Sequence, residues 1–72
     1  MTTVFGITSV GSGTNISSFS HALASNSVSV TGLTPSWNTT VWVHSKSTNA
    51  VTIRFGVQVD SGGGSYNWRV DA

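Results

Sequence analysis

The chain has no cysteine, a single proline, five charged side chains and no long apolar run. Without cysteine there is no disulfide and no thiolate zinc site. The two histidines, His21 and His44, have no Cys or Glu beside them, which is not the spacing of a structural metal site. No metal and no cofactor is expected. Seventy-two residues form one domain, residues 1 to 72, and a domain of this size buries only about 60 % of the surface its unfolded chain exposes. Small chains make up that deficit with disulfides, a metal or a partner subunit. Only the partner is left, so the composition points to a homo-oligomer.

Scarcity of charge excludes more. The charged residues are Lys46, Arg54, Arg69, Asp60 and Asp71. Nucleic-acid binding requires a basic stripe that displaces counterions, and three cations facing two anions do not form one. No nucleic-acid partner is expected. No stretch approaches the roughly 18 apolar residues of a membrane helix, and residues 1 to 10 lack the basic region and apolar run of a signal peptide, so membrane insertion is not expected either. Catalysis has little to work with. A serine triad needs an orienting carboxylate, Asp60 and Asp71 are the only two, and there is no Gly-x-Ser-x-Gly elbow. The pair flanks a glycine run, where the two carboxylates would approach as in a glycosidase; two solvated carboxylates beside Arg54 and Arg69 is the simpler reading. The expectation is that the protein is not an enzyme.

What the chain does have is thirteen Ser, ten Thr, five Asn and eight Gly. Its polar surface is therefore made of hydroxyls and amides, which suits the outside of a cell or particle. Disordered segments share some of that composition but are poor in aromatic and β-branched residues. Three Trp, three Phe, one Tyr and ten Val argue for a folded core.

Hydrophobic alternation has period two almost throughout, the signature of strands. In residues 50 to 60, Val51, Ile53, Phe55, Val57 and Val59 fall on one face of a long strand. Residues 38 to 47 place Val41 and Val43 on one side and Trp42, His44 and Lys46 on the other. Ser47-Thr48-Asn49 between them predicts a hairpin. Residues 61 to 65, Ser-Gly-Gly-Gly-Ser, read as a hairpin turn into a last strand carrying Tyr66, Trp68 and Val70; a phosphate loop would need a following Lys and a helix. Residues 27 to 33 form a shorter strand with Val28 and Val30 inward, stopping near Pro35 or reaching a sheet edge there, and residues 3 to 10 form another. Residues 15 to 26 fit both helical spacing, through Ile16, Phe19 and Leu23, and an irregular or extended segment, through the interleaved serines; extended is preferred. The fold class is all-β, a five- to six-stranded antiparallel sandwich or barrel of jelly-roll or immunoglobulin-like type, with residues 27 to 71 as a meander.

The candidate surface is Trp37, Trp42, His44 and Lys46. A tryptophan beside hydrogen-bonding groups stacks sugar rings and also serves subunit interfaces. Both uses, ligand contact and subunit contact, fit these residues. Trp68 has the pattern of a core residue.

The succession His21-Ala22-Leu23, Val28-Ser29-Val30-Thr31, Pro35-Ser36-Trp37-Asn38-Thr39-Thr40-Val41-Trp42-Val43, Ser45-Lys46-Ser47-Thr48, Ile53-Arg54-Phe55-Gly56 and Gly62-Gly63-Gly64-Ser65-Tyr66-Asn67-Trp68 resembles small β domains of bacteriophage virion proteins. More distantly it is similar to the C-terminal half of the H-type lectin domain. The resemblance spans residues 21 to 70. It implies an antiparallel sandwich, a trimer, displayed on a virion surface as a capsid decoration, tail fibre or spike component. Other virion proteins would then be partners, and a cell-surface glycan a further one. The sequence departs from that pattern in having His-Ala-Leu where His-Gly-Leu is usual and in its short length, and no position matches the lectins' sugar-binding residues. Two functions follow: a non-enzymatic structural module acting through assembly, or a carbohydrate-binding adhesion module.

Overall fold

The computed structural model describes residues 2 to 23 and 27 to 72. Its six strands are β1 (Thr3–Val10), β2 (Ile16–Ser20), β3 (Ser29–Pro35), β4 (Val41–Lys46), β5 (Ala50–Phe55) and β6 (Gly64–Asp71). They form two three-stranded sheets, ordered β1-β6-β3 and β2-β5-β4, with every pairing antiparallel. No helix occurs among the described residues. The chain is all-β, as its alternation requires.

The centre strand of each sheet carries the core. Along β5 burial alternates at every residue, with Val51, Ile53 and Phe55 inward. Along β6, Tyr66 and Val70 are inward. Val10, Phe19, Val28 and Val59 complete the buried set. Aromatic rings bridge the sheets: Phe19 of β2 stacks on Trp68 of β6 at 4.4 Å and 12°, and Phe55 of β5 meets Tyr66 of β6 edge-on at 5.6 Å. Each fully buried Val or Ile contributes about 1.5–3 kcal/mol of transfer free energy. The Tyr66 hydroxyl shares a hydrogen bond of 3.1 Å with the Ser17 hydroxyl, so the ring is buried without an orphaned oxygen.

The connectivity differs from a meander. Only β4 and β5 pair as neighbours in sequence; β3 and β4 lie in different sheets, and so do β5 and β6. The glycine run is therefore a crossover between sheets rather than a hairpin turn. The Gly63 N–H donates to the Asp60 carbonyl at 2.9 Å, and Gly63 has φ of 74°, with its Cα facing the Val10 carbonyl. That backbone conformation favours glycine.

Three strand boundaries also move. The strand expected over residues 50 to 60 stops at Phe55. Gly56 abuts the Thr40 hydroxyl, Val57 turns out to 52 % exposure, and Val59 returns to the core, its N–H donating to the Thr14 carbonyl. β3 runs on to Pro35, opposite Tyr66, because β3 is an edge strand and needs no ladder donor on its open side. Residues 16 to 20 are a strand with Ser17 and Phe19 inward, which resolves most of the segment that also fitted helical spacing; residues 24 to 26 lie outside the described residues.

Candidate functional site

The sheet β2-β5-β4 presents Trp42, the central residue of the expected surface. Trp42 is 48 % exposed and stands opposite Arg54 of β5, which in turn stands opposite Ile16 of β2. The three make a short row across the outer face. Lys46 does not extend it, and His44 has no partner across the ladder. The register shifts between Val43 and Ser45, so Ser45 pairs with Thr52 and Lys46 pairs with the buried Val51. A bulge of this kind inserts one residue and inverts the alternation beyond it. His44 sits exposed in the bulge. Lys46, still exposed, shares the register of the inward Val51, and its ammonium donates to the Val28 carbonyl at 2.7 Å, tying β4 to the start of β3. Trp37 is half-buried on the inner side: its ring meets Phe55 at 4.6 Å, and its Nε1 donates to the Val57 carbonyl at 2.9 Å. The structure thus sets Trp42 on the outer side of the β2-β5-β4 sheet and Trp37, in the loop before β4, against its inner side.

A larger apolar surface lies on the other sheet. Phe5 and Ile7 of β1 are 79 % and 67 % exposed. They are in register with Arg69 and Asn67 of β6, and those with Gly32 and Thr34 of β3. Because Gly32 has no side chain, the face carries an open depression of about 520 Å³ walled by Phe5, Ile7, Thr34 and Arg69. The reason the large residues of β1 point outward is Trp68. Its ring occupies the inner side over Gly6, where an added Cβ would stand 2.7 Å from ring carbon Cζ2, and its Nε1 donates to the Thr8 hydroxyl at 3.1 Å. Only glycine fits beneath the ring, so the inner face of β1 holds Val4 and Val10 on either side of a glycine while its two largest side chains, Phe5 and Ile7, face outward.

Asp71 closes one end of this sheet. It accepts from the Thr3 hydroxyl of β1 and, at 3.0 Å, from the Thr31 hydroxyl, and it stands 3.8 Å from the Arg69 guanidinium. The Thr3 hydrogen bond holds its carboxyl below the ordinary carboxylate value; burial opposes it, and the Thr31 bond and the Arg69 charge add smaller lowering effects. Asp60 lies in the turn before β6 while Asp71 ends that strand. Seven residue steps of extended chain separate the two ends of β6 by roughly 24 Å, so the two carboxylates do not meet across a substrate.

The residues missed by sequence reasoning are Phe5 and Ile7. The available signal was that β1 is apolar at both parities, with Val4 and Val10 on one face and Phe5 and Ile7 on the other. No protein-family model, curated protein or solved structure matches the chain.

Proposed function

We propose that the chain is a non-enzymatic structural module that acts by self-assembly, with β1 of the β1-β6-β3 sheet, where Phe5 and Ile7 stand exposed, as its assembly element. The observation that carries this reading is the exposure of Phe5 and Ile7, side by side on an otherwise uncharged strand. Two large apolar side chains held this far into water favour association, since burying each contributes about 1.5–3 kcal/mol. The chain's short length and lack of cysteine support it independently. The setting proposed with it is the one the sequence resemblance implies, a virion exterior among other virion proteins, with a two-sheet sandwich as the fold. Sedimentation equilibrium at micromolar concentration tests the reading. An oligomer that dissociates on Phe5→Ser/Ile7→Ser supports it, and a folded monomer overturns it.

A second reading, glycan binding, is favoured by the half-exposed Trp42 beside Arg54. It predicts glycan-array binding that disappears on Trp42→Ala while the oligomeric mass is unchanged; absence of binding across the array excludes it.

A further inference from the structure

We infer that β1 is the association edge, and that two copies of the chain pair β1 to β1, antiparallel about a two-fold axis at Gly6, into one continuous six-stranded sheet. This rests on the assembly reading and gives it a geometry, two-fold in place of the three-fold implied by the resemblance.

The four sheet edges are not equivalent. Natural edges are blunted by shortness, bulges, proline or an edge lysine. β2 has five residues. β3 carries a bulge between Val30 and Gly32 and ends in Pro35. β4 has its bulge and Lys46. β1 has none of these: eight residues in unbroken register with β6, with no charge and no proline.

The hydrogen-bonding phase of β1 follows from one pair. Thr2 and Ala72 exchange both backbone bonds, at 2.7 and 2.9 Å. Bonded and non-bonded pairs alternate along an antiparallel ladder, so Val4, Gly6, Thr8 and Val10 direct their N–H and C=O groups to β6. Thr3, Phe5, Ile7 and Ser9 direct theirs to the open side, where no other described strand lies. Each copy thus offers four donors and four acceptors in a straight row.

A second copy is the occupant because the strand is nearly a chemical palindrome. Reading outward from Gly6, Phe5 and Ile7 are large and apolar, Val4 and Thr8 are β-branched, and Thr3 and Ser9 are hydroxyls. Antiparallel self-pairing about Gly6 sets Phe5 opposite the partner's Ile7 and Thr3 opposite the partner's Ser9. Aromatic with β-branched and hydroxyl with hydroxyl are both favourable cross-strand pairs. These four residues are also the ones whose backbone groups face outward, so the register that matches the side chains closes about eight backbone bonds. No charge on β1 meets its own image, as an isologous contact requires.

The 7.5 kDa chain is therefore expected to sediment at twice its mass. Ile7→Pro removes an outward N–H and leaves the β1–β6 ladder its donors, so it yields a monomer with the native circular dichroism. If that variant does not fold, Ile7→Lys, at an exposed position, yields the same monomer. Thr3→Cys/Ser9→Cys tests the register. Opposed bonded residues stand about 5.5 Å apart, within disulfide range, whereas within one chain the two positions are about 20 Å apart, so oxidation gives a covalent dimer. A trimer overturns the edge pairing and keeps the assembly reading. A monomer overturns both. A dimer that survives Ile7→Pro and Ile7→Lys, or that does not cross-link, overturns the edge pairing alone.

Discussion

Replacing Gly6 by alanine puts a methyl group where the Trp68 ring already is. The new Cβ would stand 2.7 Å from Cζ2 and 3.0 Å from Cε2, well inside carbon–carbon contact distance. The ring has little room to yield. Phe19 stacks on it at 4.4 Å, and its Nε1 is held by the Thr8 hydroxyl. Overpacking a well-filled site costs about 1–3 kcal/mol. Against that, alanine restricts the unfolded chain and contributes about 0.4–1 kcal/mol where its conformation is unstrained. The net expectation is a loss of about 1–2 kcal/mol. With a urea dependence near 1 kcal/mol per molar, the low end for small domains, the midpoint falls by about 1–2 M. The measurement belongs at one fixed protein concentration, because association shifts apparent stability. A double-mutant cycle separates this clash from a general intolerance of β1. In a Trp68→Leu background the ring is gone, and Gly6→Ala becomes neutral or slightly stabilising. The coupling energy is then about 2 kcal/mol, far above the roughly 0.3–0.5 kcal/mol scatter of independent sites. Equal costs in both backgrounds, or a raised midpoint in the wild-type background, would refute the argument that Trp68 dictates glycine at position 6.

Acidification tests the clamp on Asp71. Its folded pKa is depressed below 3.8, so its contribution is complete above that value and disappears as pH falls through the folded value. Urea midpoints between pH 5 and pH 2 should therefore fall less steeply in Asp71→Asn than in the wild type; identical slopes would remove the clamp. Lys46→Met leaves the buried Val28 without its carbonyl's partner and should cost about 1 kcal/mol, a loss of roughly 4–8 °C in thermal melting. Gly63→Ala, at φ of 74° with the Val10 carbonyl 3.3 Å from the added Cβ, should cost about 1–2 kcal/mol, whereas the same change at Gly62, with open space around it, should be close to neutral. Trp37→Phe keeps the packing on Phe55 but loses the bond to the Val57 carbonyl, and should lower the urea midpoint by about 0.5–1 M.

The strands were legible because alternation is a local property of the sequence. Val51, Ile53 and Phe55 announce an inner face, and Ser47-Thr48-Asn49 announces the hairpin that forms. Sheet membership was not legible. Ser61 to Ser65 is as good a hairpin turn as a crossover, and what decides is the pairing of β6 with β1 and β3 across long stretches of chain. The bulge at His44 has no mark in the residues around it, yet it brings Lys46 into register with the inward Val51 and takes it out of the expected row of Trp42, His44 and Lys46. Phe5 and Ile7 were hidden for the opposite reason: taken alone, β1 gives no sign of which apolar face is inward, and the answer lies in a tryptophan whose hydroxyl partner, Thr8, is 60 positions away.

That separation also sets a timetable. Once both strands are free to meet, the β4–β5 hairpin closes on a scale of microseconds, but β1 has no partner until β6 has been made. At about 5–20 residues per second, β1 spends several seconds outside the ribosome with both of its edges open. Chains translated side by side from one message hold their β1 strands close together during that interval, and the strand offered for assembly is the one kept waiting longest.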